Sequence, residues 1–138
     1  MEAVYTYKGA VDLDDLHDLR QQTEDALKER GLAQEACESL VLVVDEWITN
    51  IINHAYQGKK GELELKVDVR HDQARICISD HGPVFDITSY KDVTIKNINT
   101  EESKPGGLGI ELIRRMVDSL EYTRSEDGWN ANCFTRLI

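Results

Sequence analysis

Basic residues are few. Sixteen Lys and Arg stand against 26 Asp and Glu, a formal net charge of −10. That excludes sequence-independent DNA or RNA binding, in which basic groups replace counterions along the phosphate backbone. It keeps the chain soluble and favours partners with a basic face. Long apolar runs are missing too: none approaches the roughly 20 residues that span a bilayer, and no export leader is visible at the N-terminus. A cytoplasmic protein with no membrane contact is expected. Cysteine is scarce, with three residues (Cys37, Cys77, Cys133). They form no C-x-x-C pair, and an odd count suits a reducing compartment. All three are expected to be small buried apolar residues. There is no internal repeat, low-complexity tract or linker. The 138 residues fit one domain, 1–138, with one core.

The rest reads as alternating elements. Residues 3–8 have the β-branched and aromatic character of a strand. Residues 12–30 read as a helix with Asp12 as N-cap, Leu13, Leu16, Leu19, Thr23, Ala26 and Leu27 as its stripe, and Gly31 as its stop. A second helix is expected from Gln34 to Tyr56. Residues 61–70 and 73–79 read as an antiparallel hairpin turning at His71-Asp72. Residues 80–106 lack a period and hold Gly82, Pro83, Asn97, Asn99, Pro105 and Gly106. A loop of that length inside a domain is expected to be a lid, here about 87–106. A third helix over about Leu108 to Ser119 and strands near 120–125 and 129–138 complete an α/β two-layer sandwich. Its sheet is expected to be mixed, mainly antiparallel, with helices on one face.

Three blocks carry chemistry. On the second helix Leu40, Val41, Val43, Val44, Trp47, Ile48, Ile51, Ile52 and Ala55 make most of the girth apolar, so the helix should be largely buried. Yet Glu46, Asn50, Asn53 and His54 fall at i, i+4, i+7 and i+8 on one face. Burying them without partners would cost several kcal/mol, so the face meets solvent or lines a polar pocket. The second block is Asp80-His81-Gly82-Pro83-Val84-Phe85-Asp86 at a strand end. A carboxylate there can accept from an adenine amino group, and Gly82 lets the base approach; an ordinary Asx turn would look the same. The third block, Pro105-Gly106-Gly107-Leu108-Gly109-Ile110, feeds a helix N-terminus, whose unpaired N–H groups suit phosphate. It matches neither a G-x-x-x-x-G-K-[ST] loop nor a dinucleotide fingerprint. An acidic chain can hold a nucleotide when Mg²⁺ and backbone N–H groups meet the phosphates.

The order and spacing of the three blocks resemble the GHKL ATPase superfamily, whose domains have a Bergerat-type ATP-binding fold. Glu46-x-x-x-Asn50-x-x-x-His54-Ala55 looks like its N box, Asp80-x-Gly82-x-x-Phe85 like its first glycine box, and Gly107-x-Gly109 like its second. The resemblance covers about residues 35–138. The phrase Asn53-His54-Ala55-Tyr56, Pro83 with Phe85-Asp86, and Leu120-Glu121-Tyr122 are similar to the anti-sigma factor serine/threonine kinase branch.

That resemblance implies ATP and Mg²⁺ as cofactors, with Asn50 as the metal ligand and Glu46 as catalytic base. Asp80 and Gly82 would meet adenine; Gly107, Leu108 and Gly109 the phosphates; His54 and Lys104 would add phosphate contacts. It implies a protein kinase acting as an anti-sigma switch. Such a switch phosphorylates a small anti-sigma factor antagonist and sequesters a sigma factor or other effector, commonly as a homodimer. Two rivals stay open: a module that holds ATP and regulates by binding alone, and a plain ATPase. Leu16-His17-Asp18-Leu19-Arg20 looks like the phospho-acceptor box of sensor histidine kinases. It lacks a proline after the arginine and room for the two-helix hairpin, so His17 is expected to be a surface residue.

Overall fold

The computed structural model describes residues 3–89 and 105–138, with only the backbone at 105–108. Lys104 and most of the expected lid lie outside them. Among the described residues five strands form one sheet: β1 (Ala3–Val11), β2 (Gly61–Val69), β3 (Gln73–Asp80), β4 (Ser119–Arg124) and β5 (Asn130–Leu137). Their order is β1-β2-β3-β5-β4. Each neighbouring pair is antiparallel. Among the described residues the sheet is therefore antiparallel throughout rather than mixed. β3 and β4 do run the same way, as a helical crossover requires, but β5 fills the slot between them.

Among the described residues three helices cover one face: α1 (Leu16–Glu29), α2 (Gln34–Asn50) and α3 (Pro105–Met116). Asp12 caps a 3-10 turn, Leu13–Asp15, through a reciprocal capping box with Asp15, and that turn leads into α1. Gly31 ends the run at φ +84, where a β-carbon would be strained. α2 is the central helix and packs against both α1 and α3. It buries Leu40, Val43, Val44, Trp47 and Ile48 against Leu63, Leu65, Ile76, Ile78 and Phe134 of the sheet.

Along β3 burial alternates strictly. Ala74, Ile76, Ile78 and Asp80 are buried on the helix side, while Arg75, Cys77 and Ser79 are half-exposed on the other face. The expectation of three buried cysteines holds for Cys37 alone. Cys77 and Cys133 are half-exposed, stand opposite each other and are disulfide-bonded. That meeting follows from the β3–β5 pairing, which local sequence does not reveal.

Candidate functional site

The expected second helix ends as an α-helix at Asn50 and finishes as a π turn, Ile51–Ala55. Tyr56 N–H reaches Ile51 O at 3.2 Å and Gly58 N–H reaches Ile52 O at 2.8 Å. The wider turn breaks the simple i, i+4, i+7, i+8 stripe, because each π residue rotates less about the axis than an α residue. Such turns concentrate at functional sites. Asn50 is buried at 4% exposure. Glu46 is half-buried, and Asn53 and His54 reach solvent.

The three blocks converge. A β-carbon at Gly82 would lie 2.7 Å from Ala55 Cβ, so the strand-end loop touches the end of the π turn only because residue 82 has no side chain. A β-carbon at Gly109 would overlap Glu46 Oε2, so α3 meets the middle of α2 on the same condition. Phe85 stacks on Trp47 with ring centroids 4.7 Å apart and takes the edge of His54 at 6.1 Å. The glycine block does not precede α3, as the sequence suggested; it forms the first turns of the helix, begun by Pro105. Proline suits that position, since its missing N–H is one of those a helix start leaves unpaired. The first-turn N–H groups at Gly106 and Gly107 have no intrahelical acceptor. Leu108 and Gly109 lie deeper.

Asp80 is fully buried at the end of β3. Its Oδ1 accepts from Gly82 N–H at 2.9 Å and from Asn130 Nδ2 at 3.0 Å, while Oδ2, also buried, has no partner. Burial pushes the Asp80 carboxyl above the usual range; the Asn130 and Gly82 hydrogen bonds and the Arg124 and His81 charges pull against that shift. Glu46 is also raised, first by burial and then by the neighbouring charge of Asp45. Asn50 Nδ2 is another buried polar atom without a partner.

These features fit a nucleotide. An unsatisfied buried acceptor awaits a donor, and an adenine amino group supplies one. The two close approaches at Gly82 and Gly109 keep the walls around it together. Asn50 offers an amide oxygen, a hard donor suited to Mg²⁺. Among the described residues no cluster of three or more His, Cys, Asp or Glu could hold a metal by itself.

Sequence reasoning missed the residues that hold the 80–87 loop. Asn130, fully buried, donates through Nδ2 to Asp80 Oδ1, Gly82 O (3.3 Å) and Pro83 O (2.7 Å), and its Oδ1 accepts from Arg124 at 2.8 Å. Asn132, also fully buried, accepts from Ile87 N–H at 2.9 Å and donates to Phe85 O at 2.8 Å. Tyr56 accepts from His81 N–H at 2.8 Å and donates to Glu62 O. One signal was available. Asn130, Asn132 and Phe134 alternate onto one face of a strand, and amides on a core face need partners. His17 is exposed on α1, as expected.

Residues 10–133 match a family model described as a histidine kinase-like ATPase domain. Among curated proteins, the chain is 32% identical over 100 residues to Serine-protein kinase RsbW of Listeria innocua serovar 6a, a match covering 70% of this chain and 64% of that protein. It is 33% identical over 95 residues to Serine-protein kinase RsbW of Oceanobacillus iheyensis, covering 66% of this chain and 60% of that one. The chain thus spans 60–64% of the length of these two relatives. Among solved structures, the RsbU and RsbW domains of Rv1364c from Mycobacterium tuberculosis share the fold, with a TM-score of 0.63 at 16% identity, over 96% of this chain and 32% of that one.

Proposed function

This chain belongs to the histidine kinase-like ATPase domain family, and from that premise we propose that it is an ATP-dependent serine/threonine protein kinase that works as a partner switch. Residues 1–138 form one nucleotide-binding domain. The substrate is a serine or threonine on a small anti-sigma factor antagonist. The second partner is a sigma factor or other effector, held while the antagonist is absent, and the switch works as a homodimer in the cytoplasm. The observation that carries the nucleotide reading is the buried, unpartnered Oδ2 of Asp80 beside the Gly82 approach. The kinase reading rests on Glu46, a half-buried carboxylate on the same helix as Asn50, together with the likeness to relatives named as serine-protein kinases.

The roles follow from the groups. Asp80 accepts from adenine, and Gly82 admits the ring. The free first-turn N–H groups of α3 at Gly106 and Gly107 face phosphate, with Leu108, Gly109, His54 and Lys104 completing that wall. Asn50 would hold Mg²⁺, which when bound would neutralise phosphate charge. Glu46 takes the proton of the attacking hydroxyl; its raised pKa makes it a better base than an exposed glutamate. Phosphoryl transfer asks mainly for positioning and charge neutralisation, and one helix presenting Glu46 and Asn50 a turn apart supplies both.

The test is capture of partners from native cells with and without ATP, followed by radiolabelled ATP with the captured protein. Label on a partner serine or threonine supports the kinase. Capture that depends on ATP but leaves no label points to a module that regulates by binding alone. Hydrolysis without captured or labelled protein points to a plain ATPase.

A further inference from the structure

Cys77 and Cys133 stand opposite each other in the β3–β5 ladder, with Cα atoms 4.1 Å apart and sulfurs bonded. Both are half-exposed on the face away from the helices. The next row on that face is Ser79 opposite Ala131, two small side chains that leave the sulfurs reachable by a small thiol. Lys66 lies across from Cys77 on β2, and Glu121 across from Cys133 on β4. Lys66 is paired with Glu64 and Glu121 with Arg75, each at 3.2 Å, so these charges largely offset one another beside the sulfurs, and either cysteine, Cys77 for example, can act as the nucleophile. Cys37 is buried elsewhere and takes no part.

The same two strands carry the adenine loop on their opposite face. Asp80 follows Cys77 on β3, and Asn130 and Asn132 precede Cys133 on β5. The Asn130–Asp80 hydrogen bond spans the seam that the disulfide closes. The bond also joins the ends of a segment with a sequence separation of 56, which contains Asp80, Gly82 and Gly109.

We propose that Cys77 and Cys133 form a reversible thiol–disulfide exchange site for small thiols of the glutathione class, and that its oxidised form stiffens the β3–β5 seam beneath the adenine loop. Oxidation starts when the Cys77 thiolate attacks one sulfur of a glutathione disulfide. A Cys77–glutathione mixed disulfide forms and one glutathione thiolate leaves. That thiolate takes the Cys133 proton, and the Cys133 thiolate attacks the Cys77 sulfur. The protein disulfide forms and the second glutathione leaves, protonated by the proton first lost from Cys77. Two protein S–H bonds and one glutathione S–S bond are lost; one protein S–S bond and two glutathione S–H bonds are made. Reduction is the reverse. Where the surroundings are reducing, a disulfide of this kind serves as a redox site rather than a permanent staple.

The test uses the full chain, equilibrated in glutathione buffers from fully reduced to fully oxidised, then alkylated and weighed. Peptides holding Cys77 and Cys133 are expected to be alkylated in reduced buffers and protected in oxidised ones, reversibly. Cys133→Ser should instead leave a mixed disulfide at Cys77. Amide hydrogen exchange across β3 and β5 should be slower in the oxidised form, which should also melt several degrees higher. ATP should bind about fivefold more tightly to the oxidised form; the double variant Cys77→Ser, Cys133→Ser should keep the reduced-form affinity in every buffer. Three results would each overturn the proposal: thiols that stay alkylatable in excess glutathione disulfide, a bond that survives excess dithiothreitol in the folded protein, or equal exchange across β3 and β5 in both forms. The ATP readout rests on the nucleotide reading above, whereas the thiol and exchange readouts do not. If neither form binds ATP, that reading fails, and the exchange result alone decides this one.

Discussion

The carboxylate of Glu46 on α2 occupies the space that a β-carbon would need at Gly109 on α3. The missing side chain at 109 therefore does more than free the backbone at a helix start; it lets α3 close onto the residue proposed as catalytic base.

Gly109→Ala should separate chemistry from binding. Alanine is the better helix former by about 1 kcal/mol, so an unstrained site would gain stability. Here the added methyl pushes Glu46 aside. The expected outcome is no gain in melting temperature and a fall in phosphoryl transfer on the order of 10²-fold, with ATP affinity changed much less. Calorimetry and a labelled-ATP assay on the same preparation check this; a more stable variant with unchanged turnover would show the contact to be unimportant.

Glu46→Gln keeps the shape and reach of the side chain and removes its basicity. Mg·ATP binding and partner capture should persist, while transfer falls by about 10²–10⁴-fold, the usual share of a positioned base. Equal labelling of the partner by both proteins would remove Glu46 from that role.

Asp80→Asn should move stability and binding in opposite directions. Burial holds the Asp80 carboxyl above its ordinary value, so the folded chain binds that proton more tightly than the unfolded chain. This contribution favours folding below the unfolded pKa of about 4. It is lost as pH rises through the raised folded value. The asparagine variant has no such loss, so its nucleotide-free stability relative to wild type should grow from about pH 4 to pH 7. Its ATP affinity should drop by about 1–3 kcal/mol, because an amide can present a donor where the adenine amino group needs an acceptor. Denaturant melts at both pH values and titration calorimetry provide the measurements.

Asn130→Asp replaces a donor with a second carboxylate beside Asp80. Two buried carboxylates at that distance cannot both ionise readily, and the carbonyls of Gly82 and Pro83 lose their amide donor. The expected cost at neutral pH is about 2–4 kcal/mol. The coupled pair titrates above the ordinary range, so part of that stability should return on lowering the pH from 8 to 5. A denaturation midpoint equally depressed at both values would speak against a shared proton.

Asn50→Ala should abolish the tightening of ATP binding by Mg²⁺ and leave adenosine binding largely intact. The comparison is two titrations, ATP with and without Mg²⁺, and adenosine alone. Full magnesium dependence in a folded variant would place the metal elsewhere.

Local pattern and glycine placement made much of this protein legible in the sequence. The apolar girth of α2 marks it as the buried helix because hydrophobic periodicity is a property of neighbouring residues, and short polar groups at Glu46 and Asn50 on such a helix call for a pocket. Asp12, Gly31 and the alternation of β2 and β3 fix their boundaries for equally local reasons. The family match over residues 10–133 agrees with the superfamily that the three blocks suggested. Other features needed the tertiary structure. Whether β5 lies outside β4 or slots between β3 and β4 depends on how the whole helix layer is covered, which no window of sequence contains. That single choice brings Asn130 and Asn132 under the 80–87 loop and sets Cys77 against Cys133. The π turn at Ile51–Ala55 is likewise a tertiary result: an α pattern continues through those residues, yet the backbone widens where α2 meets the Gly82 loop. The sequence thus determined which groups could do chemistry, through local periodicity and residue type. Packing between distant segments decided which of them meet.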